Sequence, residues 1–298
     1  MEFELPEFLK NKLEEQYGKD VAEKIIEGYS KNRKVTFRVN TLKTSVDQIK
    51  RVLEEKDIKY NEVSWSKEAL ILDSITESEI EKLDIYKNGE IYLQNLSSML
   101  PPIILNPEEG KDILDMAAAP GGKTTQIAAL TQNKAHITAC EMNNIRIEKL
   151  KYNIEKQGAS SVYVMKKDSR KIDDFFSFDQ ILLDAPCSGS GTINLNYKVN
   201  ITEKFIEKIS KTQLDLLNKA VKVLKKGSEM VYSTCSILYE ENEKNIENIL
   251  NKNNLEIVPI NLNGIADMPL LESKIKGTLL LAPNELYEGF FVAKLKKN

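Results

Sequence analysis

Histidine and cysteine are nearly absent from this chain, one and three respectively in 298 residues. Three thiols cannot build a disulfide framework, and with a single imidazole they do not give the spacing of a structural zinc site. The lone His136 sits inside the apolar run AHITAC and reads as a satisfied core residue. A Cys–His hydrolase pair would need it to leave that strand, so such chemistry is disfavoured. Excess positive charge is missing too: 42 Lys and Arg stand against 45 Asp and Glu, a net charge of -3, so any nucleic-acid footprint must be local. No run is long enough to span a membrane, and the opening MEFELPEF is acidic where an export signal is basic. The expectation is a cytoplasmic monomer with free thiols, no membrane association and no obligate protein partner. Internal repeats, heptads and low-complexity segments are also lacking.

What the chain does have is an apolar content of 41%, ordinary for a folded protein, and length enough for two domains. Its organising stretch is ILDMAAAPGGKTT, Ile113 to Thr125. The first part is short, apolar and ends in an acid and a Met, as a buried parallel strand does, and a helix restarts at about Lys123. Pro120, Gly121 and Gly122 lie between. Glycines there predict a backbone that approaches a ligand with no Cβ in the way, beside the free N–H groups of the helix start. A phosphate-binding loop would need Gly where Ala117 stands, and G-x-G-x-x-G is absent. A nucleoside ligand remains, its ribose held by an acid at the end of the next strand, where Glu141 falls about 20 residues on. S-adenosylmethionine fits that pattern better than ATP, although Gly122-Lys123-Thr124 keeps a phosphate-loop ATPase as a rival.

Apolar spacing predicts one helix over 7–30, a strand over 34–43, a helix over 45–56 capped at Thr44 or Ser45, and short strands at 60–65 and 69–72. This makes a small α+β domain, 1–93. Arg33, Arg38 and Lys43 give it a basic edge that is either a solvated surface or an RNA contact. QNLSSMLPP (94–102) leads into a second domain, 94–298. There, strands at 112–116, 135–141, 161–166, 180–184, 229–234 and 255–259 alternate with helices at 122–131, 143–157, 203–225 and 240–252. Such alternation predicts an α/β domain with a mostly parallel sheet covered on both faces. GTLLLA (277–282) and GFFVAKL (289–295) read as an antiparallel pair that closes it.

Ligands of such a sheet sit beyond the carboxyl ends of its strands. Five successive ends carry unusual residues: the Gly turn, Glu141, Asp168, DAPCSGSG (184–191) and TCS (234–236). Taken alone, Asp168 and Glu141 read equally well as helix caps. Cys140 reads as a small buried hydrophobe, whereas Cys187 and Cys235 follow strand ends and face one cleft if the reading holds. Two thiols beside a methyl donor suggest a specific reaction. Cytosine carbon 5 is too poor a nucleophile to take a methyl group directly. A thiolate adding to carbon 6 makes the ring enamine-like, and carbon 5 can then attack a sulfonium methyl. Asp184, kept protonated in a dry pocket, would stabilise the charge building at the N3 edge. The second thiol would assist expulsion of the first. Local pattern leaves open which sulfur is the nucleophile, because Pro186-Cys187 resembles the corresponding segment of DNA cytosine-5 methyltransferases.

DMAAAPGGKT, DAPCSGSGT, VYSTCS, EENE (240–243) and EGFFVAKL resemble, in order, the motifs of the Nop/Sun family of RNA (cytosine-5) methyltransferases. FRVNTLK and YLQNLSSML resemble its upstream segments, so the likeness spans nearly the whole chain. The resemblance implies a Rossmann-like S-adenosylmethionine-dependent methyltransferase sheet behind a small RNA-binding module. It implies S-adenosylmethionine held by Ala117, Ala118, Ala119, Pro120, Gly121, Gly122, Lys123, Glu141, Asp168 and Asp184. Cys235 would be the nucleophile, Cys187 the residue that helps release the product, and no metal is implied. The implied product is 5-methylcytosine in RNA, ribosomal RNA ahead of tRNA, with the base unstacked to reach the cleft.

Three features depart from the family pattern. Ala117 stands where many members have Cys, Lys226-Gly227-Ser228 replaces a common Gly-Gly, and INLNYKVN (193–200) carries little positive charge. Target choice would then rest on 1–93 and on the loops 192–201 and 260–277. A rival of another class is a non-catalytic RNA-binding ribosome assembly factor. Both cysteines, Asp184 and the whole glycine turn argue against it.

Overall fold

The computed structural model describes residues 5–194, 201–261 and 263–298. The stretch 195–200, part of the loop expected to help choose the target, lies outside the described residues. The single helix expected over 7–30 is two, α1 (Glu7–Tyr17) and α2 (Lys19–Tyr29), split at Gly18 with φ 79°. Lacking a Cβ, Gly18 takes this left-handed conformation without strain and the chain folds back. The pair does not pack with the small sheet that follows. Leu9, Leu13, Ala22, Ile25 and Tyr29 join the core of the large sheet. The hairpin also grips two loops described below, since Tyr29 Oη donates to Ser190 O at 2.6 Å and Gln16 Nε2 to Ile237 O at 2.9 Å.

The small sheet is β1 (Thr36–Val39), α3 (Val46–Glu55), β2 (Tyr60–Val63), β3 (Ser66–Leu72), the short helices α4 (Glu77–Ile80) and α5 (Asp84–Lys87), and β4 (Ile91–Leu93). Its strands are antiparallel in the order β2-β3-β1-β4. Ser45 caps α3 by accepting from Gln48 N at 3.2 Å, and Ile49 and Leu53 close over Phe37, Leu70 and Ile91. The basic edge expected of this module is not an edge. Arg38 is 3% exposed; Arg33 donates to the carbonyls of Thr192 and Ile193; Lys43 Nζ donates to those of Asn88 and Lys156. All three cations join distant segments of the chain, Arg38 buried and Arg33 half-buried, while Lys43 stays exposed as the solvated reading expects.

A helix that the sequence reads as a linker, α6 (Leu96–Leu105), starts the second half with Pro101 and Pro102 inside it. Proline removes an N–H and frees the carbonyl four residues earlier. That of Ser98 is taken up by Gln94 Nε2 at 2.9 Å, and burial of Leu96, Met99, Leu100 and Ile104 does the rest. Then come β5 (Asp112–Asp115), α7 (Gly122–Leu130), β6 (His136–Glu141), α8 (Asn144–Gln157), β7 (Val162–Lys166), β8 (Phe178–Asp184), α9 (Glu203–Val223), β9 (Leu224–Thr234), α10 (Glu243–Lys252), β10 (Leu255–Ile257), β11 (Leu279–Leu281) and β12 (Phe290–Lys297). The order is β10-β12-β9-β8-β5-β6-β7, with β11 on β12.

β5 to β9 are mutually parallel, whereas β12 runs antiparallel to β9, β10 and β11. The closing pair is therefore woven into the main sheet, and the segment at 255 is an edge strand that pairs antiparallel with β12. From β5 the chain winds outward to β7, returns to β8 and winds the other way. The carboxyl ends of β5 and β8 thus mark the topological switch point where open α/β sheets bind ligands. His136 belongs to neither the core nor this end: it opens β6 at the opposite rim, its side chain 77% exposed beside Asp112. Its neighbours Ala135 and Ile137 are buried, and strand alternation turns His136 outward between them.

Candidate active site

The turn after β5 is built around a buried acid. Asp115, 1% exposed, accepts from Thr124 Oγ1 at 2.7 Å and from Ala117 N at 3.4 Å, and burial pushes its carboxyl up to about 6. The two glycines make room for neighbouring side chains. A Cβ on Gly121, whose φ is 110°, would lie 3.0 Å from Leu150 Cδ1, and one on Gly122 would lie 3.1 Å from the Tyr92 ring.

Lys123 opens the following helix and reaches across to the end of β8. Its Nζ is 2.7 Å from Asp184 Oδ2, while Asp184 Oδ1 accepts from Ser233 Oγ at 2.7 Å. Burial alone would pull the Lys123 ammonium down, but Asp184 overrides it and the net shift is upward. Both Asp184 oxygens are thus engaged, one by the Lys123 ammonium and one by the Ser233 hydroxyl. Glu141, 5% exposed, accepts from the backbone N–H groups of Met142 and Asn143 at 2.8 and 2.9 Å and pairs with Arg146 at 3.2 Å. Arg146 also donates to Ala119 O at 2.6 Å, tying the end of β6 to the turn. The cap of α8 is Asn143 and not Glu141. Asp168 does cap, accepting from Arg170 N at 3.0 Å, and the Arg170 guanidinium holds its carboxyl below the usual range.

Cys187 and Cys235 converge from the loops after β8 and β9, with Sγ atoms 2.9 Å apart. The loops are stitched by Gly191 N donating to Cys235 O at 3.0 Å. The Cys187 thiol is pushed well up by its hydrogen bond to Cys235 and by burial. Cys140 is fully buried in its strand, as expected, and its thiol is pushed up to about 11. One cleft of about 560 Å³ is lined by Cys187, Cys235, Ala117, Ala119, Glu141, Asp168 and Asp184. On the other flank of the turn a cleft of about 310 Å³ takes in Ala118, Pro120, Gly122 and Lys123, sharing Asp184, Ala117 and Ala119. Gly121 lines neither.

Arg146, Ser233 and Glu288, which borders the smaller cleft, were not legible as site residues. Ser233 had a signal: strand alternation puts it on the face of Cys235, two residues on. The donor set fits a nucleoside cofactor. Carboxylates end two neighbouring strands, and Met142 at the cleft is left 61% exposed, an apolar platform for a flat base. Among the described residues no cluster of His, Cys, Asp and Glu is arranged for a metal, and no helix is long and apolar enough to cross a membrane.

This sheet, with its turn, its strand-end acids and the small sheet before it, has the fold of Rossmann-like, S-adenosylmethionine-dependent methyltransferases. The family model described as 16S rRNA methyltransferase RsmB/F matches residues 102–296, and that of the RsmF/B-like ferredoxin-like domain matches 5–78. The chain belongs to this RsmB/F family, the Nop/Sun group that its motifs resemble. It is 34% identical, over 89% of its length and 58% of the relative's, to ribosomal RNA small subunit methyltransferase F of Shewanella amazonensis. It is 33% identical to the tRNA (cytosine(49)-C(5))-methyltransferase of Pyrococcus abyssi, over 97% of this chain and 96% of that one. The crystal structure of NSun6 from Pyrococcus horikoshii with SFG superimposes with a TM-score of 0.88 at 25% identity, covering 98% of each chain. The chain spans 38% to 58% of the length of rRNA-modifying relatives such as the Shewanella protein.

Proposed function

We propose that this chain methylates carbon 5 of cytosine in RNA, ribosomal RNA in the first instance, through a covalent bond between Cys235 and carbon 6. The observation that carries the reading is the pair of sulfurs 2.9 Å apart in the cleft that also holds Asp184 and the nucleoside-type residues. S-adenosylmethionine, when bound, supplies an electrophilic methyl group. Ala117 to Lys123, Glu141, Asp168 and Asp184 form its cradle, and the P. horikoshii neighbour was solved with SFG, an analogue of it.

The Nop/Sun motifs favour Cys235 as the sulfur that adds to the ring, and the hydrogen bond and burial that push the Cys187 thiol up suit it to keep its proton. Charge that builds at N3 during addition meets the Lys123–Asp184 pair, whose proton-bearing member is the ammonium. After methyl transfer a base removes the carbon 5 proton, the C6–S bond breaks and its electrons return to Cys235. The S–H of Cys187 stabilises that thiolate as it leaves. Residues 1–93 are proposed to hold the RNA and 94–298 to carry the chemistry.

A second reading, a tRNA substrate, is favoured by one observation: the Pyrococcus abyssi tRNA enzyme matches nearly end to end, whereas the Shewanella rRNA enzyme is matched over 58% of its length. The test has two parts. Cys187→Ala should accumulate a protein–RNA adduct stable to denaturing electrophoresis, and Cys235→Ala should form none; the opposite result swaps the roles. Mapping 5-methylcytosine in cells with and without the protein then selects the RNA, and no change in any RNA removes the proposed activity.

A further inference from the structure

Each of the two thiols is followed by a serine, and both serines end on one atom. Ser188 Oγ donates to Glu241 Oε1 at 2.5 Å and Ser236 Oγ donates to the same oxygen at 2.8 Å. The other oxygen, Oε2, accepts from Ser188 N at 2.8 Å and from Gln213 Nε2 at 3.1 Å. Gln213 Nε2 also donates to Pro186 O at 2.9 Å, immediately ahead of Cys187. Glu241 is itself immobilised, since its backbone carbonyl accepts from Tyr232 Oη at 2.6 Å. It comes from the EENE string, to which the methyl-transfer chemistry assigns no step.

The carboxylate is fully buried, and the four donors on its oxygens are neutral. An ionised group is costly to bury without a cation, and burial raises its pKa. Two neutral residues could bridge the loops at lower cost, but a carboxylate can accept from two sides at once and so fixes both loops to one point. The loops are also linked by Ser190 Oγ to Ser236 Oγ at 2.9 Å, by Ile237 N donating to Ser190 Oγ at 3.1 Å and by the Gly191–Cys235 backbone bond.

We propose that Glu241 is a positioning residue that sets the Cys187–Cys235 separation by clamping the serine behind each thiol. Its charge lies near enough to Cys187 to help keep that thiol protonated. The inference rests on the reading of the two thiols as the reacting pair, and it acts on that pair without touching substrate.

The test is run on the full chain with Glu241→Gln, which keeps the volume and loses one acceptor, and with Ser236→Ala, which keeps the carboxylate and readily retains the fold. Two quantities are measured: the rate at which diamide links Cys187 to Cys235, followed by peptide mapping, and kcat with KM for methyl transfer to total RNA. Misplacing a reacting group by about 1 Å costs on the order of 100-fold, so a kcat loss of roughly 10- to 100-fold is expected with KM for S-adenosylmethionine unchanged. The linking rate should fall with kcat, and less in Ser236→Ala than in Glu241→Gln. A folded variant that links its thiols at the wild-type rate overturns the clamp, as does wild-type kcat. Wild-type protein that methylates no RNA, while its variants still link their thiols slowly, would remove the proposed activity and leave the clamp standing.

Discussion

Lys123 Nζ and Asp184 Oδ2 stand 2.7 Å apart, the first opening the helix after β5 and lining the smaller cleft, the second ending β8 and lining both clefts. Ser233 Oγ fixes the far oxygen of Asp184, so the ammonium is aimed and not merely nearby. If this pair receives the charge that develops at N3, Lys123→Met and Asp184→Asn should each slow adduct formation by about 10²–10⁴, the usual contribution of a placed acid. Residues acting as a unit are not additive, so the double variant should be little slower than either single one. Single-turnover adduct rates check this. A loss of S-adenosylhomocysteine affinity that accounts for the whole rate loss would confine both residues to the cofactor cradle.

Thiol reactivity separates the three cysteines. Cys187 and Cys140 are both pushed up, the first by its bond to Cys235 and burial, the second by burial to about 11. Alkylation needs the thiolate, so if Cys235 is the nucleophile, iodoacetamide at a pH of about 8 should modify it roughly tenfold or more faster than either. Peptide mass mapping after partial reaction reads the order. Primary modification at Cys187 would reverse the assignment of nucleophile and helper.

The sheet was legible because strands such as ILLD and helices such as 143–157 carry their period in the sequence, and because reactive residues fell at successive strand ends. What was not legible depended on partners far away in the chain. Nothing near Arg38 announces that it is buried against Thr125, 87 residues on, nor does the neighbourhood of Glu241 reveal Ser188, 53 residues back. Helix α6 was hidden by its own prolines, because the side chain that satisfies the freed carbonyl belongs to Gln94, outside the helix. His136 was misplaced by strand alternation: Ala135 and Ile137 on either side of it are buried, but its own side chain faces out at the rim.

Arg38 offers a direct check on that correction. Its guanidinium donates to Thr125 Oγ1 at 3.2 Å and to Gln94 Oε1 at 3.3 Å, linking the small sheet to α7, and lies 5.7 Å from the centre of the Tyr92 ring. Burial pulls its pKa down to about 10, which still leaves it charged at neutral pH. Arg38→Met should cost about 1–3 kcal/mol of stability through the polar groups left unpaired. The salt dependence of RNA binding should not change, since a lost phosphate contact would reduce the slope of log K against log salt by about 0.9. Urea unfolding and binding at several salt concentrations measure the two effects. A shallower slope with unchanged stability would return Arg38 to the RNA surface.

Asp115 supplies the pH dependence. Burial lifts its carboxyl from an ordinary 3.8 to about 6, so the folded protein prefers the neutral form. The stability this confers is complete below the unfolded value and is lost as pH rises through the folded one. At about 1.4 kcal/mol per unit, the loss between a pH of about 4 and about 7 is on the order of 3 kcal/mol. Asn at this position still accepts from Thr124 but has no proton to lose. The unfolding free energy of Asp115→Asn relative to the wild type should therefore grow by about 3 kcal/mol over that interval, read from urea unfolding at its two ends. A difference that stays constant with pH would mean that Asp115 is already ionised when folded, with the charge of Lys123 compensating its burial.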